Sequence, residues 1–349
     1  MECQRCEQFS FMGSMRMRGN RRIIGVDIAR ILAMYLVVVF HVVGVLSRYD
    51  KCTTTGRWVS AASFCCVDLF ALISGYVGVL GRFRPSRFAL LWIQVVFTGM
   101  IIVGGGALIG LWHPTLKDWG KVFLPLTSHS YWYFTEYFFL FLLMPFLNAG
   151  LRQLPKRIAG TVVAAVLLFV VLLPAINPYG SDTYLLGGGL SAIWLVVCYL
   201  IGGYLQLHVP KFGCLAWLTG GALMTVAVRF WGTSYAHPAT LLAAICWLMA
   251  CARIDICSGR AKRIVAFFSS VAFGVYVWHA QPLLHARMVK CFDFISNYHP
   301  IISVVLILAL SILMYLVISV LEYLRIRLFK LLKVKELSER AFAWMEVKA

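Results

Sequence analysis

Charge is scarce in this chain. Only 13% of its 349 residues are Asp, Glu, Lys or Arg, against about 25% in an ordinary soluble domain, so a soluble globular protein is excluded for the chain as a whole. A cleavable leader is lacking too. The first apolar run is long, no small-residue cleavage site follows it, and further apolar runs come after, so it reads as a retained first helix. Cys3 and Cys6 form a CxxC, but no second pair or His cluster accompanies it, which argues against a metal site there. The other nine cysteines are scattered, mostly in apolar runs where Cys behaves as a small hydrophobe. A Cys52–Cys291 disulfide between two loops on one side is a pairing with nothing further to support it. No internal linker divides the chain, and no clear inverted repeat is visible.

What the chain has in quantity is apolar surface: 61% hydrophobic residues and a mean hydropathy of +0.83. These imply an all-α integral membrane protein, with about ten transmembrane helices. The apolar runs lie near 23–47, 58–80, 88–111, 130–148, 158–176, 185–207, 212–229, 236–252, 264–286 and 301–323, of which the seventh and eighth are short. Of the 32 Lys and Arg, 23 fall in tails and loops on the side of the N-terminus, 8 fall on the other side, and Arg30 lies within a span. By the positive-inside rule both termini are expected in the cytoplasm. The net charge of +18 is then explained by an anionic inner leaflet, and nucleic acid is not needed as a partner. Three parts are expected: a cytoplasmic tail over 1–20, a ten-span membrane domain over 21–324 and a basic amphipathic tail over 325–349 lying along the inner surface. Met12, Met15 and Met17 are alternative starts in an N-terminal stretch that looks unlike folded structure.

Ionisable residues inside apolar spans are costly enough to suggest function. The first run carries Asp27, Arg30 and His41. Eleven residues separate Arg30 from His41, which returns a helix to nearly the same face about 16 Å further along. The seam they form should face protein. Asp68 lies near the middle of the second span, and Ser74 follows it toward the cytoplasm. The short loop GRFRPSR then supplies Arg82, Arg84 and Arg87: a topology determinant at the least, and a guanidinium cluster suited to the phosphates of an anionic donor. The fourth span opens on Tyr131, Trp132 and Tyr133, an interfacial aromatic belt or a platform for a sugar ring, with Glu136 one turn inside and Pro145 able to kink or close the helix further on. Tyr276 and His279 lie in the outer part of the ninth span. His41, Glu136 and His279 thus share an outer station, whereas Arg30, Ser74 and the arginine loop lie toward the inner face.

The first span, Asp27-Ile-Ala-Arg30 with His41 eleven residues on, resembles the opening signature of the membrane-bound acyltransferase-3 family. VDLFALISGY (67–76), the Trp132–Pro145 segment and GVYVWHAQPLL (274–284) are similar to later motifs of that family. The resemblance covers nearly the whole ten-span unit. It implies transfer of an acyl group, usually acetyl from acetyl-CoA, to a hydroxyl of a cell-surface glycan or its lipid-linked precursor, in a bacterial cytoplasmic membrane. It puts His41 and Arg30 in the catalytic core, with Asp27 and Asp68 at polar positions of the motifs. Arg84-Pro85-Ser86-Arg87 falls at an RxxR loop on the acyl-CoA side, joined there by Arg82 and Ser74. Glu136, Trp132, Tyr276 and His279 are the acceptor-side candidates. No permanently bound cofactor and no metal are implied; acyl-CoA is a substrate. An extracytoplasmic esterase-like domain of the kind fused to some members is not expected here. His41 would act as general base or as transient acyl acceptor. The alternative is a proton-coupled transporter or lipid flippase, for which the Gly104–Gly106 and Gly187–Gly189 runs would mark broken helices. Acceptor sugar, acyl chain length and oligomeric state are left open.

Overall fold

The computed structural model describes residues 22–47, 54–177, 182–231 and 234–345. Among them there is no β-strand, as expected where every backbone polar group must find its partner within its own segment. Eight helices are long and apolar enough to cross a membrane, and two shorter apolar helices, Ala192–Leu207 and Pro238–Cys251, complete the ten runs read from the sequence.

The elements in chain order are α1 (Ile24–Ser47), α2 (Thr54–Ser63), α3 (Cys66–Gly78), α4 (Pro85–Leu108), α5 (Leu116–Phe123), α6 (Trp132–Gln153), α7 (Lys156–Val166), α8 (Ala192–Leu207), α9 (Cys214–Trp231), α10 (Pro238–Cys251), α11 (Gly259–His279), α12 (Pro282–Cys291), α13 (Pro300–Leu331) and α14 (Val334–Ala341). Past α7 the same span widens into a π-helical stretch, Leu167–Leu172. That stretch leads into Pro174, which cannot donate a backbone hydrogen bond to the preceding turn.

Four departures from simple spans matter. The second span is two helices, broken at Phe64 and Cys65, where the Ser63 hydroxyl bonds back to the Val59 carbonyl at 2.8 Å. The fourth span runs through Pro145 without closing there. The sixth begins at Ala192 and not near 185, because Gly187, Gly188 and Gly189 have φ of 58°, 66° and 94°, a conformation no right-handed helix contains. The ninth ends at His279, since Pro282 starts a separate short helix. The Gly104–Gly106 run, in contrast, sits inside unbroken α4, so the two glycine runs are not a matched pair of broken helices. Residues 1–21, which hold the CxxC, residues 346–349 and Cys52 lie outside the described residues.

The tightest pair is α3 with α8. A Cβ on Gly75 would sit 2.0 Å from the Tyr199 carbonyl oxygen, and one on Gly202 would sit 2.1 Å from that of Leu72. Reciprocal glycines let the two backbones touch, the way membrane helices pack when solvent offers no hydrophobic drive. Around this centre α1, α6, α10 and α11 bury Val, Leu and aromatic side chains in one core. The outward faces of α9 and α13 expose Leu223, Phe230, Ile301, Val305, Leu313 and Val317, as lipid-facing surfaces do. After α13, Lys333 turns the chain with φ of 51°, and α14 folds back so that Ser338 donates to the Ser86 carbonyl at 3.0 Å.

Candidate active site

The seam on α1 faces α11. Arg30 Nη1 donates to Asp27 Oδ1 at 3.0 Å and to Ser269 Oγ at 2.8 Å. Ser269 in turn donates to the same carboxylate oxygen at 2.7 Å, and Arg22 Nε bonds the other. Asp27 is therefore fully engaged and only 4% exposed. It orients Arg30 and neutralises part of its charge. Ten residues further along α11, His279 meets His41, which lies eleven residues along α1 from Arg30. Two contacts at matching separations mean that α1 and α11 run side by side in the same sense.

At the outer contact, His41 Nδ1 and His279 Nε2 are 2.9 Å apart, and His279 Nδ1 bonds the Val275 carbonyl. A carbonyl can only accept, so His279 Nδ1 carries its proton. In the neutral pair, His279 Nε2 is then the acceptor and His41 Nδ1 the donor. His41 Nε2 is left with its lone pair, and His41 lines a small cavity of about 70 Å³. His279 is 1% exposed and stands behind His41 outside that lining. The ring of His285, from α12, lies edge-on to His41 with centroids 5.2 Å apart.

The walls of this small cavity include Cys66, Trp132, Tyr235 and Tyr276. Tyr235 is placed by the glycine loop: its backbone N–H donates to the Gly188 carbonyl at 3.0 Å, as does the Ser234 hydroxyl at 2.9 Å. A Cβ on Gly189 would lie 2.4 Å from that of Tyr235. The Tyr235 ring stacks on Phe64, at the break in the second span, with centroids 4.7 Å apart.

A second cavity, of about 530 Å³, has Arg30, Ser74, Arg82, Arg84 and Arg87 in its wall, together with Tyr137 and Asn148. Arg84 is the N-cap residue of α4, with Pro85 at the first helical position, and its side chain makes no capping hydrogen bond. Four guanidinium groups make this cavity a receptor for anionic oxygen. Among the described residues, no group of three His, Cys, Asp or Glu side chains is arranged to share a metal ion.

The candidate residues therefore separate. Trp132, Tyr276 and His41 share the small cavity; Arg30, Ser74 and the three loop arginines share the large one. Asp68 lines neither. It is 0% exposed, Oδ1 accepts from Trp194 Nε1 of α8 at 2.8 Å, and Oδ2 has no partner among the described residues. Glu136 lines neither cavity: its Oε2 accepts from the Ala192 backbone at 2.8 Å and so caps the first turn of α8, beside the Ser191 cap. To the residues named from the sequence the structure adds Tyr235, His285, Ser269 and Glu322. Glu322 is 0% exposed and gathers Gln94 Nε2 at 3.0 Å, Trp278 Nε1 at 2.9 Å and Arg325 at 2.8 Å, tying α4 and α11 to α13. The signal for it was the glycine at 274, where a Cβ would lie 2.0 Å from the Glu322 carboxyl carbon.

A family model for an acyltransferase domain matches residues 23–321. No curated protein matches, and no solved structure matches.

Proposed function

The chain belongs to the acyltransferase-3 family, and we propose that it moves a short acyl group, acetyl by preference, from acyl-CoA to a hydroxyl of a surface glycan or its lipid-linked precursor. The observation that carries this reading is the pairing of unlike cavities: one walled by guanidinium groups, the other holding an imidazole with its tautomer set. The phosphates of CoA bind Arg82, Arg84 and Arg87 at the start of α4, with Arg30 and Ser74 deeper in the same cavity. The pantetheine arm then extends toward His41, about 16 Å along α1 from Arg30.

His41 Nε2 takes the proton of the acceptor hydroxyl as its oxygen attacks the thioester carbonyl. The C–O bond forms, the C–S bond breaks, and the imidazolium returns the proton to the departing CoA thiolate. His279 is a positioning residue, holding His41 Nδ1–H so that Nε2 is the base. Asp27 and Ser269 position Arg30. Because Arg30 lines the larger cavity, we assign it to the donor. Trp132 and Tyr235, whose rings stack with centroids 6.5 Å apart, offer the face on which a sugar ring lies. We assign Asp68 and Glu136 structural roles.

The Lys and Arg bias puts the arginine loop in the cytoplasm, and we place the protein in a bacterial cytoplasmic membrane. CoA needs no resident cofactor, and the partners are acyl-CoA, the glycan and membrane lipid. Binding tests the donor assignment. In detergent, CoA should raise the unfolding temperature of the wild type, and the double substitution Arg84→Ala/Arg87→Ala should remove the shift. A wild type that CoA does not stabilise at saturating concentration would favour the transporter reading.

A further inference from the structure

The two cavities meet at three aromatic rings. Phe70 of α3, Tyr133 of α6 and Phe273 of α11 are in the wall of both. Phe70 and Tyr133 meet edge to face, with centroids 6.3 Å apart. Tyr276 braces the other two, at 6.3 Å from Tyr133 and 6.2 Å from Phe273, and Phe134 supports Phe273 at 6.1 Å. Among the described ring pairs, Phe70 touches Tyr133 alone. The partition is thus buttressed on the Tyr133 and Phe273 side and held by a single ring contact on the Phe70 side.

We propose that Phe70, Tyr133 and Phe273 form a septum that sets the length of acyl chain this protein transfers. The proposal rests on the acyltransferase reading above. An acyl group whose CoA is held at the arginines must pass these rings to meet His41, and beyond them it finds about 70 Å³, against about 530 Å³ on the arginine side. The space past the rings is narrow and walled in part by Met34, Val37 and Tyr276, side chains packed into the core, so a chain of eight carbons fits there far less readily than a two-carbon group. A two-carbon group needs no more than a ring rotation. Phe70 is the leaf that yields, because the other two rings are braced. Deleting its side chain merges the cavities and gives a long chain the room it lacks. The bonds broken and formed are the same for every donor; only the fit of the alkyl tail changes.

The test uses membranes carrying the full chain, with acetyl-CoA, butyryl-CoA and octanoyl-CoA labelled in the acyl group, and reads label in the glycan fraction. The wild type is expected to prefer acetyl over octanoyl. Phe70→Ala should raise the octanoyl-to-acetyl ratio of kcat/KM about tenfold or more, and Phe70→Leu should fall between. Because the readout is a ratio, a general loss of activity does not imitate it. If Phe70→Ala does not accumulate in the membrane, Phe70→Leu and Phe273→Leu carry the test with smaller shifts in the same direction. A ratio that stays at the wild-type value in the accumulating variants overturns the septum and leaves the acyltransferase reading standing. So does a wild type that uses octanoyl-CoA as readily as acetyl-CoA. A wild type that transfers none of the three refutes the acyltransferase reading, and the septum falls with it.

Discussion

Removing the His279 imidazole is the perturbation whose consequence the structure defines most closely. His279 lines neither cavity, so His279→Ala leaves the arginines and the aromatic face in place and takes away the acceptor for His41 Nδ1–H. The imidazole of His41 is then free to rotate and to exchange tautomers, and the tautomer with its proton on Nε2 cannot act as a base. A buried donor left without a partner costs about 1–3 kcal/mol. At ~1.4 kcal/mol per factor of ten, kcat should fall by roughly five- to 150-fold, at or below the low end of the ~10²–10⁴ that a general base as a whole supplies. The KM for acetyl-CoA should hardly move. His279→Gln is the control, since its amide oxygen can accept from His41 Nδ1–H and should recover most of the lost rate. The assay is steady-state acetyl transfer by protein purified in detergent and shown to be monodisperse. An unchanged kcat in well-folded His279→Ala would refute the reasoning, as would a Gln variant no better than Ala.

Asp68→Asn keeps an oxygen for Trp194 Nε1 and should retain transfer, whereas Asp68→Leu strands that indole and should lower stability by about 1–3 kcal/mol; a folded but inactive Asn variant would make Asp68 catalytic. Gly274→Ala drives a methyl into the Glu322 carboxylate and should break a buried ion pair worth about 3–5 kcal/mol on loss of a partner, seen as early aggregation on heating; unaltered heating behaviour would contradict the role given to Glu322. Outside the spans, backbone and hydroxyl hydrogen bonds from Thr115 hold the Asp118 carboxyl below its ordinary range. That stabilisation is present above the unfolded pKa of ~3.9 and is lost as pH falls through the lower folded value. Hydrogen exchange over 116–123 should therefore quicken selectively, for its intrinsic rate, once pH drops below the usual carboxylate range, and no selective loss would remove the cap argument.

How legible the site was depended on whether its partners lay on one helix. Arg30 and His41 are joined by the period of a single helix, and Arg82, Arg84 and Arg87 by one short loop, so both groups stood out. The contact of His41 with His279 joins helices 238 residues apart, and helix period says nothing about it. A buried carboxylate reads the same whether it faces a cavity or a neighbouring indole, which is why Asp68 looked catalytic and turned out to bond Trp194. Glu136 looked like a sugar ligand because it follows an aromatic belt; the backbone it caps belongs to α8, whose start was masked by the apolar residues running on from 185. Glu322 lies at the end of the apolar run 301–323, where sequence alone does not distinguish a buried carboxylate from an interfacial one; the helix continues to Leu331 and Glu322 is buried within it. The ten apolar runs were visible because hydropathy averages over about 20 residues. Breaks such as Phe64–Cys65 were not, because each rests on one or two backbone bonds.

The proposed acyl transfer needs both His41 and Arg30. The direct measurement is movement of label from [acetyl-14C]acetyl-CoA into glycan, in membranes holding equal amounts of wild type, His41→Ala or Arg30→Ala. The proposed function requires incorporation by the wild type and its loss in both variants. Full incorporation by a folded His41→Ala protein, or none by the wild type across a range of membrane acceptors, would contradict it.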